Sequence, residues 1–182
     1  MTPAPGLALD QRTGLPDALR VLLSDYPRDV WEAHPDFNGL VQFWMQRHMM
    51  FRQLIKILSE DAQSFADGDV AFEGYAPRLR HYAGTLLNEL HGHHQIEDQH
   101  YFPQLVGLDA RVSRGFELLE TDHEAMDRLL NGMAEGANSV LQGGDIGPFV
   151  DRIDLFAGLL ERHLTDEEEI VVPVILHSGF RG

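Results

Sequence analysis

Four stretches of the chain carry apolar residues at alternating spacings of three and four, the period that holds side chains on one helical face. Each stripe is interrupted by a histidine. The first runs Val41, Trp44, His48, Phe51, Ile55, Leu58, and the second Leu79, Ala83, Leu86, Leu90, His93, Glu97. The third is Val112, Phe116, Leu119, His123, Met126, Leu130, Met133, and the fourth Phe149, Ile153, Phe156, Leu160, His163, Glu167, Ile170. Glu97 and Glu167 each stand one turn after a stripe histidine. A fold that buries these stripes directs six polar groups into one interior.

Burying an unpaired carboxylate costs on the order of several kcal/mol, so such a core requires compensating positive charge. Arg52, Lys56, Arg80, Arg128 and Arg162 fall between stripe positions, which leaves a bound metal as the source. Imidazole nitrogen with carboxylate oxygen, and no thiolate, suits iron, manganese or zinc. A lone histidine of this kind reads as a core residue hydrogen-bonded to a neighbour. Four in register with two glutamates favour the metal.

Composition narrows the partners. The net charge of −15, from 29 acidic and 14 basic residues, repels nucleic acid and anionic membrane surfaces. With no cysteine, disulfides, iron–sulfur clusters and thiol chemistry are excluded. The segment MTPAPGLALDQRTG lacks a secretory pattern, and no unbroken apolar run reaches the roughly 20 residues of a membrane span, so a soluble, cytoplasmic protein is expected. The acidic run Asp166 to Glu169 reads as a solvated helix face, apart from Glu167 on the stripe.

The 182 residues, 43% of them hydrophobic, suit one domain. Residues 1–35 form an N-terminal extension: a loose tail over 1–14, a short helix over Leu15 to Leu23, then a connector or second short helix. A bundle follows over 36–177, with a tail at 178–182. Asp36 or Asn38 is the expected N-cap of the first long helix, which runs to about Phe65. The second spans from near Pro77 to near Pro103, the third about Ala110 to Ala134 with Gly136 beyond it, and the fourth from near Pro148 to before Pro173. Short connections between long helices imply antiparallel neighbours, hence an all-α, up-down-up-down four-helix bundle.

The chain also repeats itself. Leu90-His91-Gly92-His93-His94-Gln95-Ile96-Glu97-Asp98 before Tyr101-Phe102-Pro103 parallels Leu160-Glu161-Arg162-His163-Leu164-Thr165-Asp166-Glu167-Glu168 before Val171-Val172-Pro173. Each half supplies one lone histidine and one HxxxE pair, which suits two metals related by a pseudo-twofold axis. His94 with Asp98 forms a competing HxxxD pair; His93 is preferred because it continues the stripe and matches His163. His34, His81, His91 and His177 read as surface residues.

These motifs resemble the hemerythrin family, specifically its HHE cation-binding branch, over roughly Phe37 to Leu176. The family pattern is a lone histidine, an H-x-x-x-E-E with a hydrophobic-Phe-Pro ending, a second histidine and a second H-x-x-x-E. Those places are taken here by His48, by His93 with Glu97 and Asp98, by His123, and by His163 with Glu167 and Glu168. The resemblance implies a di-iron centre in a four-helix bundle, with zinc or manganese as alternatives. It also implies bridging Glu97 and Glu167 and four terminal histidines, with Asp127, Glu168 and His100 as additional candidates. Oxygen-carrying members resemble one another in a second histidine one turn along the third helix, where this chain has Asp127. The expected function is therefore metal binding with a response to oxygen, nitric oxide, peroxide or iron, rather than oxygen transport.

Other readings stand beside it. A di-iron peroxidase, oxidase or nitric oxide reductase requires an open coordination position. A metal-free helical interaction module would use the acidic surface. A ferritin-like site would draw on Glu97 with His100 and Glu120 with His123.

Overall fold

The computed structural model describes residues 6–37 and 39–181. Among these residues the fold is all-helical, and no helix is long and apolar enough to cross a membrane. The long helices are α1 (Gly39–Ala66), α2 (Phe72–Ile96), α4 (Ser113–Leu141) and α5 (Gly147–Ser178). A π-helical turn, Glu97–Tyr101, joins α2 to the short α3 (Phe102–Val106). Helix α1 packs on α2 and α5, and α4 on α5 and α2, which closes a helical bundle.

The stripes face the interior as their period requires. Buried apolar residues divide into two clusters. One holds Phe51, Leu58, Leu86, Leu90, Met126, Leu130, Phe156 and Leu160; the other holds Trp44, Phe102, Phe116, Leu119, Ile170 and Ile175. In sequence, His48 lies between Trp44 and Phe51, His93 between Leu90 and Phe102, and His123 between Leu119 and Met126. His163 follows Leu160 and precedes Ile170. The histidines thus form one polar layer between two apolar ones.

Several boundaries move, each for a local reason. Helix α2 begins five residues before Pro77, because Ala71 is extended and Tyr75 stacks on Phe65 at 4.5 Å, anchoring the first turn. Helix α4 is preceded by a 3-10 turn, Ala110–Val112, and continues through Gly136. Gly136 is a packing contact: a Cβ there would lie 2.6 Å from the Phe149 ring. Helix α5 runs through Pro173 and stops at Gly179, whose φ of 68° gives the left-handed cap. A proline costs an exposed helix interior about 3 kcal/mol. Here every residue from Ile170 to Leu176 is buried, so packing holds the helix together. Helix α1 starts at Gly39; of its two candidate caps, Asn38 lies outside the described residues.

The largest departure is at the N-terminus. The described part of 1–14 is seated on the bundle: Leu9 and Arg12 are buried, followed by Leu15, Leu19, Leu22 and Trp31. The expected helix over Leu15 to Leu23 is a single 3-10 turn, Asp17–Leu19, with a second at Arg28–Val30. Leu19 comes close enough to α4 that a Cβ on Gly115 would meet its carbonyl oxygen at 2.6 Å. This segment covers the outer side of α5 beyond Ile170, as its leucines and Trp31 share the second apolar cluster with Ile170 to Leu176.

Candidate metal centre

Side chains from all four long helices meet in the polar layer. His48 comes from α1, His93 and His94 from α2, Glu97 from the first position of the π turn, His123 from α4, and His163 and Glu167 from α5; all seven are buried. They fall into two groups, His48, His93, Glu97, Glu167 and His94, His123, His163, within each of which the potential ligand atoms lie within 4.8 Å of one another. The two glutamates link the groups. Glu97 lies 2.9 Å from His93 Nε2 through Oε1 and 3.7 Å from His123 Nε2 through Oε2. Glu167 lies 3.4 Å from His48 Nε2 through Oε1 and 3.4 Å from His163 Nε2 through Oε2. A carboxylate with two oxygens can serve two cations in this way.

Many of these atoms are buried without a hydrogen bond: both nitrogens of His94 and His163, both oxygens of Glu97, His123 Nε2 and Glu167 Oε2. The close approaches above are within ion-pair distance but lack hydrogen-bond alignment. Each such group costs about 1–3 kcal/mol, against a total stability of about 5–15 kcal/mol for a typical domain. His48 and His93 also bring their Nε2 atoms to 3.1 Å. Convergent orphan nitrogens and carboxylate oxygens with no interposed protein cation are what a metal site requires, and this donor set fits iron, manganese or zinc.

Two of the histidines, His48 and His123, are hydrogen-bonded from behind, and a third, His163, faces a carboxylate at ion-pair distance. Their Nδ1 atoms face Glu168 (His48, 3.0 Å), Asp98 (His123, 2.7 Å) and Asp122 (His163, 3.5 Å). A carboxylate on Nδ1 selects the tautomer whose Nε2 lone pair points inward. Trp44 donates its Nε1–H to Glu167 Oε1 at 2.6 Å.

The structure therefore gives the sequence candidates different places. His48, His93, Glu97, His123, His163 and Glu167 are brought together. Glu168 is buried behind His48 and takes Arg52 and Arg28 on its oxygens at 2.7 and 2.8 Å. Asp127 is half-exposed and sits 3.0 Å from the surface residue His91. His100 is exposed because the π turn takes five residues where an α-turn takes fewer, so Phe102 occupies the interior position after Glu97. Glu120 is exposed as well, so each ferritin-like Glu-x-x-His pair keeps one member in the polar layer, Glu97 or His123, and has the other at the surface.

His94, set aside in favour of His93, joins the cluster beside it. It stacks on His123 at 4.0 Å and stands edge-on to His163 at 5.2 Å. Adjacent positions on a helix diverge by about 100°, and a layer this wide admits both. The cluster thus contains five histidines, one more than the four of the expected ligand set. The acidic run is also corrected: Asp166, Glu167 and Glu168 are all buried. Arg162 and Arg12 pair with Asp166, and Arg20 and Arg28 with Glu169.

The charges are strongly coupled. Burial would lower the His163 imidazolium, but Asp122 and Glu167 outweigh it and raise the group to about 9. His48 is also raised, Glu167 and Glu168 overcoming its burial. Burial lowers His93 to about 3 and holds His94 well below its usual value. Burial and the Glu167 charge push Glu97 well up, whereas Glu167, despite its burial, is held well down by His48 and His163.

A raised histidine contributes stability that is complete below its unfolded pKa, near 6.5, and is lost as pH rises through the folded value. Metal-free protein should therefore lose stability between about pH 6.5 and 9, by on the order of 2–3 kcal/mol from His163, with His48 acting in the same direction. His93 and His94, neutral when folded but half protonated in the unfolded chain at pH 6.5, oppose this by less than about 1 kcal/mol together. Thermal melts in a chelator at pH 6.5, 8 and 9.5 check this; a melting temperature that climbs over that range contradicts it.

Among comparisons with known proteins, the family model described as Hemerythrin HHE cation binding domain matches residues 39–175. No curated protein and no solved structure matches the chain. The matched span contains all seven clustered residues and most of the chain, and the chain belongs to the hemerythrin HHE cation-binding family.

Proposed function

We propose that the chain holds two iron ions in the polar layer and uses them to bind and respond to oxygen, nitric oxide or peroxide. The observation that carries this reading is the pairing of the two donor groups through Glu97 and Glu167, each of which reaches one histidine of either group. His48 and His93 would hold one ion, His94, His123 and His163 the other, and the glutamates would bridge them. When bound, such a pair supplies reversible one-electron chemistry and a Lewis-acid position. The four helices would alternate in direction, as their short connections and mutual packing favour.

The two positions differ in donor number. The His48–His93 side has one histidine fewer and borders a surface cleft of about 250 Å³ lined by Leu40, Phe43, Trp44, Arg47, Ile96 and Tyr101, with His93 and Glu97 at its inner end. Its mostly apolar wall favours a small uncharged ligand reaching that side. An oxidase or peroxidase would use the same opening, and peroxide turnover lost on His93→Ala separates it from a sensor.

Elemental analysis of protein purified without a metal-affinity tag is the direct test. About two irons per chain is the expected result, given the two donor groups. Protein that is folded and takes up no iron, zinc or manganese overturns the reading.

A further inference from the structure

We propose that Arg12, delivered by the N-terminal segment, is a positioning residue for the metal centre and acts on His163 through Asp122. The proposal rests on the reading of the cluster as a metal site. Arg12 lies outside the span matched to the family domain and far from the cluster in sequence. Its guanidinium is nevertheless buried among the helices, with only 2% of its side chain exposed.

Every nitrogen of that guanidinium is engaged. Nη1 donates to Asp122 Oδ1 at 2.9 Å and to the Leu7 carbonyl at 2.8 Å, Nη2 donates to Asp122 Oδ2, and Nε donates to Asp166 Oδ2 at 2.7 Å. Two nitrogens on two oxygens fix the plane of the Asp122 carboxylate, which a lysine ammonium cannot do. Asp122 Oδ2 then faces His163 Nδ1 at 3.5 Å, and His163 Nε2 faces Glu167. The order is Arg12, Asp122, His163, cluster.

The neighbouring carboxylates behind histidines are held differently. Glu168, behind His48, is gripped by Arg52 from α1 as well as by Arg28, while Asp98, behind His123, is more than a third exposed. Asp122 is 2% exposed, so without Arg12 it would be a buried charge with, among the described residues, only His163 against it. Two other features fasten this part of the N-terminal segment: Leu9 is buried in the first apolar cluster, and Arg162 donates to the Thr13 carbonyl. The family domain alone therefore lacks the cation that orients one of its own histidines.

The test uses the full chain and four variants, Arg12→Met, Arg12→Lys, Asp122→Asn and Arg20→Met. Arg20 anchors the same segment through Glu169 and touches no residue behind a histidine, so it reports on seating alone. Two quantities are read: Co(II) affinity from the visible absorption of the protein, and the side-chain nitrogen resonances of His163 in metal-free protein. Arg12→Met and Asp122→Asn should weaken Co(II) binding by about tenfold or more, the usual effect of removing an outer partner of a ligand. Both should also shift the His163 resonances, with Arg12→Lys intermediate and Arg20→Met like the parent.

Wild-type affinity and resonances in Arg12→Met would reduce Arg12 to a clamp for the segment and overturn the proposal. If Arg12→Met does not fold, Arg12→Lys against Arg20→Met decides the same question. Failure of the parent protein to bind Co(II) would count against the metal reading, while the metal-free resonances would still show whether Arg12 positions His163.

Discussion

Glu167→Ala is expected to abolish metal loading at both positions, and Glu167→Gln to do nearly the same while keeping the fold. Glu167 is fully buried, accepts the indole N–H of Trp44 at 2.6 Å, and stands 3.4 Å from a histidine of each donor group. No other carboxylate in the layer reaches His48 and His163 together. Removing a partner behind a ligand costs about 10–100-fold in affinity, so loss of a shared ligand should exceed about 100-fold. Glutamine preserves volume and can still accept the Trp44 bond, but it removes the anion that offsets two cations. Metal content and far-UV circular dichroism of both variants check this. Glu167→Gln protein that loads metal like the parent would contradict it.

The second large effect is expected from metal removal. Chelation should lower the melting temperature by about 8–16 °C while leaving the helical content intact. A ligand present at about 1,000 times its Kd stabilises the folded state by about 4 kcal/mol. For a chain of this size each kcal/mol moves the melting temperature by about 2–4 °C. Helicity should survive because the polar layer lies between two apolar clusters that retain their own packing. Calorimetry of loaded and chelated protein measures the shift. An unchanged melting temperature would favour the metal-free interaction module, with the acidic surface as its contact.

Both expectations depend on features of unequal visibility in the chain. The seven-residue cluster contains six side chains that lie on the helical stripes, where phase alone carries them inward. His94 does not lie on a stripe; its signal was only its adjacency to His93 and a second HxxxD spacing. The exposure of His100 was hidden because a π turn changes the phase after Glu97, and nothing in Glu97-Asp98-Gln99-His100-Tyr101 marks that turn locally. Pro77, Gly136 and Pro173 read as boundaries and are not: Tyr75 stacked on Phe65 anchors the turn before the exposed Pro77, and packing around Gly136 and Pro173 outweighs their local preference.

Apolar spacing was enough to place the four long helices, the level of the polar layer and the six stripe residues within it. The reason is periodicity: a helix holds its phase over many turns, so spacing along the chain becomes direction in space. Tertiary structure alone decided which cations meet the buried acids. Arg12, Arg20 and Arg28 reach Asp166, Glu168 and Glu169 across some 140 to 154 residues of chain. Such contacts follow no period. They depend on where a segment with little regular structure comes to rest, and that is set by Leu9, Leu15, Leu19, Leu22 and Trp31 finding apolar surface on the assembled helices.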